Sequence, residues 1–187
     1  MAACSRQGLI TELLDRTELV KASSQLFLRL SDEQLHHRPA PGQWSIAEIF
    51  GHLNLCRDQY IRSILPRITL APDYLPDRYV SGWLGDWIYD RVMPGADGTV
   101  FKLKTPKAYY VSGETLDARE VLESFQRKCD ALDDILRHAA TKNLQRIRIP
   151  FYFSRLLRLR LGDTLRIMVA HGERHLLQAQ RVRVAVI

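Results

Sequence analysis

Residues 41–53 read Pro41-Gly42-Gln43-Trp44-Ser45-Ile46-Ala47-Glu48-Ile49-Phe50-Gly51-His52-Leu53. Pro39, Pro41 and Gly42 cannot continue a helix, so the chain must start a new element after them. Ser45 and Glu48 have capping-box spacing. The Ser hydroxyl can accept the Glu48 N–H while the Glu48 carboxylate reaches back to the Ser45 N–H. From there Ile46, Ile49, Phe50, Leu53, Cys56, Tyr60 and Ile64 fall at i, i+3 and i+4, which predicts a long amphipathic helix. Pro66 marks its expected end.

Three more helices follow from the same period. Residues about 5–30 carry Leu9, Leu13, Val20, Phe27 and Leu30 on one stripe. Residues about 117–140 start at Asp117 and carry Val121, Leu122, Phe125, Leu132, Ile135 and Leu136. The last helix runs from about Leu161-Gly162-Asp163 to about Val182. Ser31-Asp32-Glu33-Gln34 reads as a short capped turn. Residues 68–114 are broken by Pro72, Pro76, Pro94, Gly95, Gly98, Pro106 and Gly113, with one short helix expected near 82–92. Within 141–160, Ile147, Ile149, Phe151 and Phe153 alternate with polar residues until Pro150 interrupts them, which is no convincing strand set. The expected fold is all-α: four long helices packed as a bundle in one domain, 1–187, with an irregular insertion at about 68–114.

At 187 residues the chain can bury a core without disulfides or a structural metal. With 46% hydrophobic and 26% charged residues, disorder is excluded as the main state. No apolar run approaches about 18 residues, and the first residues lack a signal-peptide pattern. Cys4, Cys56 and Cys129 are odd in number and widely spaced, with no CxxC. Reduced thiols in a cytoplasmic protein are the expectation, with no membrane partner. The net charge of +6 permits an acidic ligand without demanding one.

Six histidines remain. His36 and His37 sit in the polar turn before Pro39, and His138 sits near the end of the third helix, where a cation suits the macrodipole; all three read as solvent-facing. His171 and His175 are i, i+4 on the last helix, one turn apart on one face. Its buried stripe is Leu165, Met168, Val169, Gly172, Leu176 and Ala179; His175 lies on the edge of it and His171 about 40° further round. His52 flanks the stripe of the second helix, among Ile49, Cys56 and Gln59. Two helices can thus present three imidazoles at one seam, a set suited to Zn, Ni, Cu or Fe with positions left for water or substrate. A satisfied core histidine is the commoner role for His52 taken alone. The stretch His171-Gly172-Glu173-Arg174-His175 is not HExxH: Glu173 faces away from where a zincin base must sit, which excludes that metalloprotease pattern.

The stretch from Leu30 to Leu35, then Arg38-Pro39, then Pro41 to Ile49 and Gly51-His52-Leu53, resembles the second-helix entry of the DinB/YfiT-like superfamily. The stretch from Leu161 to Leu165, then Val169-Ala170-His171, Arg174-His175 and Gln178-Ala179, resembles its last helix. The resemblance covers most of the chain except 68–114. It implies a four-helix bundle with a long crossover connection, often dimeric. It also implies a divalent transition metal (Zn, Ni, Mn or Fe) held by one His on the second helix and an HxxxH pair on the last, here His52, His171 and His175. Activities implied are metal-dependent hydrolysis and transfer of a low-molecular-weight thiol (bacillithiol, mycothiol or glutathione) to an electrophilic small-molecule substrate.

No catalytic acid or base stands out. Asp58, Gln59, Tyr60 and Gln178 lie near the expected seam without distinguishing spacing, and Trp83, Trp87 and Tyr89 could close over a substrate or merely cover the core. A thiol transferase should rim its metal with cations, for which Arg57, Arg62, Arg155, Arg158 and Arg174 are available. The alternative function is a non-enzymatic module that binds nucleic acid or another partner through the basic 146–166 segment, with Phe151, Tyr152 and Phe153 interleaved. A solvated face beside a packed connector is the commoner use of such a run, so nucleic acid is not the expected partner.

Overall fold

A computed structural model describes residues 3–95, 98–99, 101, 105–106, 109–111, 116–152 and 154–186, with Arg155 and Val186 described by their backbone alone. Phe153 and several positions of the 68–114 insertion therefore lie outside the described residues. The chain is mostly helical, in keeping with the all-α expectation. In chain order the helices are α1 (Arg6–Ser24), α2 (Asp32–His36), α3 (Ile46–Leu70), α4 (Trp83–Val92), α5 (Ala118–Ala139) and α6 (Leu161–Val186). The long helices pack pairwise: α1 lies against α5 and α6, and α3 lies against α5 and α6.

Helix starts are set locally. Ser5 Oγ accepts from Gly8 N to open α1, and Asp117 accepts from the Arg119 and Glu120 amides to open α5. Ser31 with Gln34 caps α2. The Ser45–Glu48 box closes as its spacing predicts, with Ser45 N donating to Glu48 Oε2 at 2.9 Å and Glu48 N donating to Ser45 Oγ at 3.3 Å. Arg38 adds an ion pair to the buried Glu48 carboxylate. These bonds fix the start of α3, and with it the rotation of every side chain that follows on that helix.

Four expectations need correction. The first helix ends at Ser24 and tightens into a 3-10 turn over Gln25–Arg29. The second passes through Pro66 to Leu70, because the carbonyl that Pro66 strands belongs to exposed Arg62, while Ile64 and Ile68 bury the next turns in the core. Two short antiparallel pairs exist: β1 (Ala3–Cys4) with β2 (Tyr79–Val80), and β3 (Arg148–Phe151) with β4 (Ser154–Arg160). Pro150 is accommodated in β3 because the register shifts beside it. His36 does not simply face solvent: its ring bonds the Asp32 carbonyl through Nδ1 and the Leu116 carbonyl through Nε2.

The core has three parts. Leu13, Ile64, Leu132, Leu136, Leu165 and Val169 belong to one end, and Phe27, Ile49, Phe50, Leu122, Phe125 and Leu176 to the other. A third cluster joins α4 to the β3–β4 hairpin through Ile88, Val92, Phe151 and Leu159 against Ile167 of α6. The stripe expected on the last helix is buried residue for residue.

Candidate metal centre

α3 and α6 bring His52, His171 and His175 together. One nitrogen from each ring lies within 4.8 Å of the other two, and the three could hold a metal ion. His52 Nε2 and His171 Nε2 are 3.4 Å apart. Two nitrogens sharing a tetrahedral cation at about 2.0–2.1 Å stand about 3.3 Å apart, so this pair is already spaced for one. His171 and His175 meet edge to face at 4.5 Å between centroids, as an i, i+4 pair on one helix must.

The outer nitrogens are held as well. His52 Nδ1 donates to the Tyr109 carbonyl at 2.9 Å, and His175 Nδ1 donates to Gln178 Oε1 at 2.9 Å. Each bond places the proton on Nδ1 and leaves the Nε2 lone pair bare, which is how a metal-binding histidine is oriented. Gly51 makes the first bond reachable. A Cβ there would stand 3.2 Å from Val111 Cγ1, so glycine lets the 109–111 segment lie against α3 beside His52.

Charge and burial complete the donor set. Burial pushes the His52 proton affinity down. It pushes His171 well down, with His175, His52, Arg174 and Arg57 adding to the effect, and it lowers His175 to about 3. All three rings are therefore neutral at neutral pH. Linkage gives a testable sign. Unfolded histidines bind protons from about pH 6.5 downward, whereas the folded rings resist, so the unfolded chain holds more protons in the window between about 6.5 and 3. Stability of the metal-free protein should fall as pH drops from 7 to 5. His175→Gln should flatten that slope, and a thermal melt flat in pH for the parent chain would contradict the assignment.

Around the rings sit residues that sequence reasoning placed elsewhere or missed. Trp44, at the entry to α3, lies 5.0 Å from the His52 ring and stacks at 6.1 Å on His175, with Tyr110 edge-on to it at 5.8 Å. Cys56, one turn after His52, puts Sγ 3.7 Å from His52 Nε2; burial holds its thiol protonated, its pKa pushed up to about 12. Tyr60 packs on Tyr152 of the hairpin turn at 5.0 Å, and Tyr152 packs on Tyr109 at 4.9 Å. Of the other seam candidates, Gln178 orients His175, Asp58 pairs with Lys128 at 3.4 Å, and Gln59 faces solvent.

The α4 aromatics do not close over the imidazoles. Trp83 and Trp87 are exposed, and Arg91 stacks on Trp87 at 3.7 Å. Tyr89 accepts from Arg16 and lies under Arg166 at 4.2 Å, on a separate cavity of about 400 Å³ that Tyr79, Asp86 and Arg166 also line. Nor do the candidate arginines form a common rim. Arg57 is buried in the core, over the Phe125 ring at 4.2 Å and donating to Cys129 Sγ at 2.9 Å. Arg62 and Arg158 face solvent, and the side chain of Arg155 lies outside the described residues. Among the described side chains of this set, Arg174 alone combines half-burial with a place beside His171 and His175, held by the Arg91 and Phe101 carbonyls.

A helical chain with one histidine on an inner helix and an HxxxH pair on the last defines a class of candidate metal proteins. The DinB superfamily model matches residues 14–179, and the chain belongs to that superfamily. No curated protein and no solved structure matches it.

Proposed function

We propose that this chain is a metal-dependent enzyme. It is a single domain, 1–187, built as a four-helix bundle with a long crossover connection, in which His52, His171 and His175 hold one divalent transition-metal ion. The observation that carries this reading is the convergence of three neutral imidazole nitrogens within 4.8 Å, two of them with their outer nitrogens already bonded. A cation in such a set supplies Lewis acidity that lowers the pKa of a water or thiol toward neutrality. Membership of the DinB superfamily supports the same reading.

The chain's own residues supply the rest. Tyr109 and Gln178 hold the ring tautomers, Trp44 and Tyr110 give the site a flat aromatic wall, and His52 and His175 are buried from bulk water while His171 is partly exposed. Between hydrolysis and thiol transfer, Arg174 favours transfer. It is a half-buried cation beside the imidazoles, and among the described residues no carboxylate pairs with it. An anionic thiol such as bacillithiol or glutathione would meet that charge while its sulfur faces the imidazoles.

Cobalt-loaded protein titrated with bacillithiol and glutathione tests this. A saturable sulfur-to-cobalt charge-transfer band is expected, with affinity about tenfold weaker in Arg174→Ala, the order expected for losing one charge-assisted contact. Ester cleavage without any thiol response would select the hydrolase instead. The absence of both responses would overturn the enzyme reading.

A further inference from the structure

The six cations of residues 142–160, a segment with no Asp or Glu, equal the whole net charge of +6; in the rest of the chain 21 cations balance 21 acids. That segment is the β3–β4 hairpin with its approach. Two of its cations are spoken for: Lys142 pairs with Asp73 at 2.8 Å, and Arg160 donates to the Val80 carbonyl at 2.6 Å. Arg146, Arg148 and Arg158 are exposed, and among the described residues none of them pairs with a carboxylate.

The strand register concentrates this further. Pro150 pairs with Arg158 but Phe151 pairs with Ser154, so residues 155–157 are extra on β4 and bulge from the ladder. The bulge carries Leu156 at 94% and Leu157 at 38% exposure, immediately before Arg158. Phe151 and Leu159 on the inner side anchor the hairpin to α4 through Ile88 and Val92. The same α4 exposes Trp83 at 72% and Trp87 at 50%. Of the hairpin's described aromatics, Phe151 packs in the core cluster with α4 and Tyr152 packs on Tyr60 and Tyr109, whereas aliphatic Leu156 is left exposed.

We propose that the 155–158 bulge docks this protein on an anionic lipid surface, with Leu156 entering the acyl boundary and the hairpin arginines meeting headgroup phosphates. A protruding aliphatic side chain two residues before an exposed arginine, on a hairpin whose Arg146 and Arg148 are also exposed, fits an interface that is apolar below and negative above. It fits nucleic acid less well, because no described aromatic ring of the hairpin is placed to stack on a base. A peptide partner would need a groove, whereas the bulge is convex. No described helix is long and apolar enough to cross a membrane, so the contact is peripheral. It goes beyond the expectation of no membrane partner, with which the lack of a described membrane-crossing helix agrees, and it does not depend on the metal centre.

Flotation of the full chain with vesicles tests the proposal, comparing phosphatidylcholine alone with phosphatidylcholine containing about a third phosphatidylglycerol. Partitioning at least about tenfold stronger on the anionic vesicles is expected, weakening as salt rises. Arg158→Ala should lower it about fivefold. Leu156→Ser, which leaves the charge unchanged, should lower it about tenfold. Both positions are exposed, and unchanged thermal melts would show that the fold is intact. No binding to anionic vesicles overturns the proposal. So does binding indifferent to Leu156→Ser, and so does duplex or single-stranded DNA held more tightly than the vesicles at equal salt.

Discussion

His171→Ala and His52→Ala, purified without a histidine tag, are expected to carry less than about a tenth of an equivalent of transition metal by elemental mass spectrometry, where the parent chain carries about one. The ground is geometric. Three nitrogens within 4.8 Å could hold an ion, and two do not close a coordination sphere without help from other donors. A further donor close by is the Cys56 thiol, 3.7 Å from His52 Nε2, which burial keeps protonated. The two variants separate the helices, since His52 belongs to α3 and His171 to α6, and a real site must fail from both sides. Gln178→Ala should have a graded effect. It removes the bond that orients His175, and loss of such an outer partner weakens metal binding about 10- to 100-fold. If the parent chain takes up no metal after incubation with Zn, Ni, Mn and Fe, the three rings are packing residues and the enzyme reading falls with them.

The second large effect concerns stability. Gly85→Ala should destabilise the protein by about 2–4 kcal/mol, lowering its melting temperature by about 5–15 °C. An added methyl would overlap the Cβ, Cγ and Oδ2 atoms of Asp163, a buried carboxylate that cannot step aside. Asp163 accepts from the Tyr79 hydroxyl and from Gly82 N, and Arg166 stands 3.9 Å away. Moving it would break the joint between β2, the start of α4 and the first turn of α6. Burial raises the proton affinity of that carboxyl, and its hydrogen bonds oppose the shift, so the acceptor role rests on the contacts that the methyl would displace. Gly8→Ala is the matched control. It lies on the exposed face of α1, where a Cβ would meet only Ser5 at ordinary contact distance, and it should be neutral or slightly stabilising. A melt showing Gly85→Ala as mild as Gly8→Ala would mean that α4 can lift from α6 at little cost.

Several elements were legible because they are local. A capping box joins residues three apart, and Ser45 with Glu48 forms one wherever the chain turns into a helix. The His171–His175 pair follows from the pitch of a single helix. The meeting of His52 with that pair was legible as a possibility of two stripes at one seam, and family resemblance then implied the same three residues as a metal set. Pro66 misled because its cost depends on what the neighbouring turns bury. The role of Trp83, Trp87 and Tyr89 stayed open because an aromatic residue in a punctuated segment carries no mark of which side of the molecule it will line. Arg57 could not be placed for a similar reason: a core arginine over Phe125 and a rim arginine look alike in sequence.

By itself the sequence determined where the long helices begin, which face of each is apolar, that two imidazoles share one turn of the last helix, and that the excess positive charge falls within one short segment. These depend on contacts a few residues apart, and backbone geometry fixes such contacts before any packing occurs. Tertiary structure alone decided that Tyr109, 57 positions beyond His52, lends it a carbonyl; that Trp44 roofs His52 and His175; and that a register shift of β4 turns Leu156 outward. Those contacts join residues far apart in the chain or set by strand pairing, and their positions follow from how whole elements pack, which local spacing does not encode.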